Sequence, residues 1–275
     1  MRAFSLAALA AALSACAPLP SPLAPELEGS VGLPHGGVLV GGVEMRKAGE
    51  GYRFLRDDDR HYALPRFARA LARAAARVSR ERPGGELCIG DLSAPHGGAL
   101  PPHLSHRSGR DADLLFYLAT LEGAPVRSPG FLPVGRDGLA WDPAGKRFLR
   151  LDVEREWLLV KALLEDEEAR VQWIFVHDDV RRTLLAWARA RGESTDLQWR
   201  AALVMAQPRP GGLHDDHLHV RTACTAEDRA RGCQPFGPTR PWLDSAPPTP
   251  EPEDDGVLAL ELARPLEPIG AGGAP

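Results

Sequence analysis

The sequence predicts an α+β domain, and three observations carry that prediction. Apolar residues recur at helical spacing in three separate stretches, short strand-like runs lie between them, and long Gly- and Pro-rich segments separate the two. The helical stretches do not alternate regularly with the strand-like ones, which argues against a doubly wound parallel sheet.

The first helix is expected over 65–81, where Leu64, Phe67, Leu71 and Val78 are spaced by three, four and seven to form one apolar stripe. A second is expected over 153–168, with Trp157, Val160 and Leu164 on one side. A third is expected from 178 to 191, carrying Leu184, Leu185, Trp187 and Ala188. Asp178 and Asp179 stand near its start, where carboxylates suit the positive end of the helix dipole. Short strands are expected at Glu86–Ile89, Asp111–Tyr117, Gln172–Val176, Leu203–Ala206 and His217–Thr222.

The ends of the chain differ from its middle. Arg2, the apolar run Phe4 to Leu13 and the small residues Ser14 and Ala15 describe an export signal too short to span a bilayer. Leu13-Ser14-Ala15-Cys16 resembles a bacterial lipobox, which would lipidate Cys16 and anchor the chain in a membrane, the outer membrane being favoured. The alternative is an ordinary signal peptide that contains a cysteine. Residues 17–45, beginning with a Pro- and Leu-rich stretch, are expected to be a tether, 46–244 the folded domain, and 245–275 a Pro-rich, largely disordered tail with a short docked segment at Val257–Leu262.

The chain of 275 residues, 44% of them hydrophobic, can bury one sizeable core. A formal charge of -4 with no basic stripe excludes a nucleic-acid binder. The acidic runs 57–59 and 165–168 are expected to be solvated surface. In an oxidising compartment Cys224 and Cys233, close together in a polar, turn-rich stretch, are expected to pair. Cys88, between Leu87 and Ile89, is expected to be a buried inert thiol. No C-x-x-C spacing suggests a cysteine metal cluster. Oligomeric state has no signal in the sequence.

Chemistry concentrates in two groups. One runs from His103 through His106 to Asp111 and Asp113, the other from His214 through Asp215, Asp216, His217 and His219 to Arg221. Histidine and aspartate together suit Zn²⁺. In a strand, His217, His219 and Arg221 share one face and Leu218 and Val220 the other, with the two imidazoles about 7 Å apart along the chain. Asp111 and Asp113 likewise share a face, and Ser108-Gly109 supplies the turn that brings His106 back toward Asp113. Three protein ligands would leave a fourth position open, as in a catalytic zinc site. Asp215 and Asp216 could equally be turn residues, and Arg221 could simply pair with a carboxylate. His35, His61, His96 and His177 are expected to have no catalytic role.

His106-x6-Asp113 followed by His217-x-His219 resembles the lysostaphin, D-alanyl-D-alanine peptidase and hedgehog group of zinc proteins. Gly90-Asp91-Leu92-Ser93-Ala94-Pro95, Gly97-Gly98, Ser105-His106 to Asp113, Trp173-Ile174-Phe175-Val176 and His214-Asp215-x-His217-x-His219-Val220-Arg221-x-x-Cys224 narrow the resemblance to the penicillin-insensitive murein endopeptidases, over residues 85–235. The resemblance implies a small antiparallel sheet flanked by helices and long loops, with the zinc cleft on the sheet. It implies His106, Asp113 and His219 as zinc ligands, with His103 a candidate in an alternative or second metal site. His217 is the implied general base or transition-state stabiliser, His214 a supporting histidine, and Asp216 a competing base. A family disulfide agrees with the Cys224–Cys233 pair.

The expected activity is hydrolysis of D-alanyl–meso-diaminopimelyl cross-links in periplasmic peptidoglycan, with stem peptides as the partner. The alternatives are a related D,D-carboxypeptidase or dipeptidase and a non-catalytic peptidoglycan-binding member. Arg107, His96 and Gly212-Leu213 depart from the family pattern at the cleft rim, and the family's full set of cysteines is absent; the implied ligands all remain.

Overall fold

The computed structural model describes residues 27–208 and 212–243. The expected export signal with Cys16 and the expected tail with its docked segment lie outside the described residues. The chain divides into two units, Met1–Thr239 and Arg240–Pro275, and every element below belongs to the first.

The elements around the site are β1 (Ala48–Gly49), β2 (Tyr52–Phe54), α1 (Pro65–Glu81), β3 (Leu87–Ile89), β4 (Asp111–Leu115), α2 (Val153–Glu165), β5 (Val171–Phe175), α3 (Asp178–Ala190), α4 (Thr195–Val204), β6 (Met205–Ala206), β7 (His217–Thr222) and α5 (Ala226–Ala230). The strands form one seven-stranded sheet in the order β6-β5-β7-β4-β3-β2-β1. A separate four-stranded sheet joins Pro125–Val126, Leu118–Ala119, Arg147–Leu151 and Leu139–Asp142.

The class is α+β, as expected. The main sheet is not the small antiparallel one expected but a seven-stranded mixed one, because β5 with β6 and β2 with β3 pair in parallel while the other neighbours are antiparallel. The connections explain this. A parallel pair needs a crossover, supplied by α1 between β2 and β3 and by α3 and α4 between β5 and β6.

Helix α1 begins on Pro65, whose fixed φ and missing N–H cost nothing in the first turn. Its stripe Phe67, Leu71, Ala74, Ala75 and Val78 is buried, and it packs along α2. The opposite face carries arginines that clamp the end of α2. Arg77 Nη1 lies 2.6 Å from Glu165, Arg73 Nε 2.7 Å from Asp166 and Arg69 Nη2 2.7 Å from Glu168. The acidic run expected to be merely solvated is therefore largely a paired seam between two helices.

Two expectations are corrected. The segment Leu203–Ala206 is a strand only at Met205–Ala206, because α4 continues through Val204. Ser194 caps that helix, its side chain accepting from the Leu197 amide at 3.2 Å, and Leu197, Ala201 and Val204 form its buried stripe. The tether expected over 17–45 contains folded chain from Gly29 onward. Gly29–Val31 pairs with Val38–Val40, Val43–Glu44 pairs with Tyr62–Ala63, and Leu39 is buried. Alternation over only three residues, Val38 out, Leu39 in, Val40 out, is too short to stand out beside prolines.

The Cys224–Cys233 disulfide is present, and Cys88 is free and buried, its thiol pushed up to about 11 by burial.

Glu156 of α2 is fully buried and accepts from the Tyr117 amide at 2.8 Å, while its Oε1 has no hydrogen-bond partner. Burial pushes its carboxyl up to about 8, so the folded protein binds this proton more tightly than the unfolded chain does. The contribution is whole below the ordinary value near 4.5 and is lost as pH rises to about 8. Glu156→Gln should therefore flatten the decline in Tm between these limits, measured by thermal melts of both proteins. Parallel Tm-against-pH curves would refute it.

Candidate metal centre

Strands β4 and β7 build the site through their register. His219 stands opposite Asp113 and Arg221 opposite Asp111, so both pairs share the cleft face. Ala112, Leu114, Leu218 and Val220 alternate to the other face and are fully buried in the core. On the far side of β7, Phe175 of β5 is opposite His219, and its ring lies 5.4 Å from the Arg221 guanidinium.

His106 reaches the strands from the loop before β4. It adopts φ 63, a left-handed conformation that costs a non-glycine residue about 1–3 kcal/mol. Gly109 permits the return, with φ +73 and an added Cβ only 2.6 Å from Leu39 Cδ1. His214, in the loop before β7, is also left-handed, at φ 49. Two strained histidines facing one cleft point to a geometry held for function.

The imidazoles converge on one carboxylate. His106 Nε2 and His219 Nδ1 each lie 3.1 Å from Asp113 Oδ1, and His217 Nε2 lies 3.3 Å from it. His103 Nδ1 lies 3.6 Å from Asp113 Oδ2. The ligand atoms of His103, His106 and Asp113 fall within 4.8 Å of one another, as do those of His214, His217 and His219.

All five rings are also anchored from behind. His106 Nδ1 donates to the Leu92 carbonyl at 2.9 Å, and His219 Nε2 to Asp111 at 2.8 Å. His217 Nδ1 donates to Asp216 at 2.5 Å, His103 Nε2 to Asp91 at 2.8 Å, and His214 Nδ1 to the Gly212 carbonyl at 2.9 Å. Each acceptor holds a proton on one ring nitrogen, so the other nitrogen is the one that can give up its proton and offer a lone pair. Metal-ligating histidines are held in this way. Asp113 Oδ2, buried without a hydrogen-bond partner, is a second feature of a metal-ligating carboxylate, and the donor set therefore fits a metal ion.

Burial alone would raise Asp113, but the His106 charge and bonds from His106, His217 and His219 hold it well below the usual carboxylate range. Burial also works against ionised Asp111, and the Arg221 guanidinium and His219 outweigh it. Burial would lower His219, yet Asp111 and Asp113 raise it. Burial likewise opposes charge on His217, and Asp113 and Asp216 lift it to about 9. His214 goes the other way, pushed down to about 4 by burial and then by the charge of His219. The pocket is strongly anionic at its floor and takes either protons on His217 and His219 or a metal ion.

The structure thus brings His103, His106, Asp113, His214, His217 and His219 together, with Asp216 joined through His217. His106, Asp113 and His219 form the buried floor, and the other histidines stand nearer the rim. Of the expected bystanders, His61 packs on Phe54 at 3.9 Å, and His177 caps α3 while its amide donates to the His214 carbonyl.

Sequence reasoning missed three contributors. Asp91 stood in a quoted motif without a role, although it holds His103. Asp111 was placed on the correct face without its task of orienting His219, and Arg221 pairs with it at 2.7 Å. Phe131 walls the cleft 5.3 Å from His217, packed so closely that a Cβ on Gly90 would meet its ring at 2.6 Å. No local pattern marks Phe131.

A family model described as penicillin-insensitive murein endopeptidase matches residues 30–241. The chain belongs to that family. Relatives named penicillin-insensitive murein endopeptidase from Escherichia coli O1:K1, Escherichia coli strain SMS-3-5 and Escherichia coli O127:H6 are each 29% identical over 217 residues, covering 76% of this chain and 71% of theirs. As a member of the murein endopeptidase family the chain is a peptidase of peptidoglycan. Its candidate metal cluster lies within the matched segment.

Asp111 Oδ1 accepts from both His219 Nε2 and Arg221 Nε, so its effect on metal should run through His219. Asp111→Asn is expected to weaken metal affinity about 10–100-fold, read by competition with a chromogenic chelator. Unchanged affinity would show that Asp111 does not orient His219.

Proposed function

We propose that this murein endopeptidase is a zinc enzyme that hydrolyses D-alanyl–meso-diaminopimelyl cross-links between stem peptides in the periplasm, held at a membrane, with the outer membrane favoured, by lipid on Cys16. The observation that carries the reading is the set of four back-anchored imidazoles, His103, His106, His217 and His219, whose other nitrogens surround the buried Asp113 carboxylate. His106, Asp113 and His219 would hold the zinc, and His103 could serve an alternative or second site. When bound, zinc supplies Lewis acidity for activating water and polarising an amide carbonyl.

The protein's own groups supply the proton transfers. His217 carries its Nδ1 proton to Asp216 and presents Nε2 to the same point as the ligands. That is the arrangement of a base oriented by a carboxylate. In this reading, with a metal rather than a proton balancing Asp113, His217 Nε2 takes the proton of the attacking water and later delivers it to the leaving amine, and Asp216 keeps the ring in place. The competition between His217 and Asp216 for the role of base becomes a division of labour. His214, neutral at physiological pH and bonded through Nδ1 to Gly212, offers Nε2 as an acceptor at the rim.

Purified zinc-loaded protein is expected to convert cross-linked muropeptide dimers to monomers. Chelator should abolish this, zinc should restore it, and a β-lactam should have no effect. His217→Ala is expected to keep its zinc and lose about 10²–10⁴-fold in kcat, by the usual worth of general acid–base catalysis. Release of only a terminal D-alanine would identify a carboxypeptidase. Intact dimers after incubation with folded, zinc-loaded protein would overturn the assignment.

A further inference from the structure

An open cavity of about 500 Å³ lies where β2 leaves the sheet, lined by Lys47, Arg53, Arg56, Asp57 and Arg127 together with the Ser128-Pro129 turn. Four of the charged residues lining it are cationic and one is anionic. Their counter-charges are mostly set outside the lining. Arg53 Nε and Arg127 Nε both lie 3.3 Å from Glu86 Oε2, and Arg56 pairs with Asp58 and Asp91. Only Asp57, bound to Lys47, faces the space with them. Arg53 is held rigidly, donating through Nη2 to the Ser128 carbonyl at 2.6 Å.

Two short chains of contact tie this cavity to the metal centre. Arg56 donates to Asp91, which accepts from His103 at 2.8 Å. The Arg56 guanidinium also lies 5.9 Å from the Phe131 ring, itself 5.3 Å from His217. Arg56 thus lines the cavity and touches both Asp91 and Phe131, each of which contacts an imidazole of the metal centre, so a peptide lying along Phe131 would run toward both. Guanidinium groups suit planar carboxylates, and Arg53 is held in place by Ser128 and Glu86.

We propose that this cavity is a substrate subsite that binds a free carboxylate of the stem peptide, with Arg53, Arg56, Arg127 and Lys47 as its specificity determinants. This rests on the murein-peptidase reading above. The carboxylate could be a side carboxylate of the stem or its terminal one, and the two sources separate by synthesis.

The test is calorimetric binding of a stem tetrapeptide, which contains no cross-link to cut, to the zinc-loaded protein. The peptide is compared with a form amidated at its side carboxylates and a form amidated at its C-terminus. Amidation of the recognised carboxylate should weaken binding about tenfold. The exposed pair Lys47→Gln/Arg127→Gln should weaken the acid peptide by a similar factor and leave the recognised amide unaffected. Asp57→Asn should act oppositely and tighten the acid peptide. Equal affinity for all three peptides, equal affinity of wild type and double variant, or no measurable binding would overturn the proposal. Cleavage of dimers is scored separately. Cutting without carboxylate discrimination removes the subsite alone, whereas discrimination without cutting removes the endopeptidase reading and leaves the subsite standing.

Discussion

A carboxylate at the bottom of a protein cleft stays ionised only if positive charge surrounds it, and Asp113 is such a group. It has no exposure to solvent, its register partner is His219, and His106 and His217 approach the same oxygen. The pairing of β4 with β7 has to hold to the residue for this to work. A slip of one position would turn Asp113 and His219 into the apolar core and bring Ala112 or Leu218 into the cleft. The core on the far face, with Ala112, Leu114, Leu218 and Val220 all fully buried, resists that slip, so packing and chemistry lock the same register.

Around that pair the protein has two kinds of support. The buried ligand positions on strands are rigid because sheet and core hold them. The rim histidine His214 lies on a loop that has ties of its own: the Val134 amide donates to the Asp215 carbonyl at 2.7 Å, and the His177 amide to the His214 carbonyl at 2.8 Å. These bonds couple the Phe131 side of the cleft to the His214 loop and to the start of α3. Behind every imidazole stands an acceptor, so the ring orientations are settled before any ligand arrives. The left-handed backbone at His106 and His214 is the local cost of aiming those rings inward.

The same groups extend the site sideways. Asp91 serves His103 on one side and Arg56 on the other, and Phe131 touches the environments of both His217 and Arg56. Asp91 and Phe131 thus each touch both the imidazole cluster and Arg56, the residue that lines the basic cavity.

Much of this was legible in local pattern. The helix over 65–81 and the strand His217–Thr222 appear as expected, since a long apolar stripe and a strict alternation depend only on neighbours in the chain. Spacing also placed Asp111 with Asp113 and His217 with His219 on single faces. The parallel pairings, the folded segment from Gly29 and the helix running to Val204 escaped, because each depends on a partner far away or on an element too short to show a period. Family resemblance supplied the proposed ligand roles. By itself the sequence determined which side chains share a face and that histidine and aspartate would supply the chemistry. Only the tertiary structure decided that Asp111 orients His219, that Phe131 lines the cleft and that four cations gather beside it. Those meetings follow from strand register and loop packing between residues distant in the chain, and no local spacing encodes them.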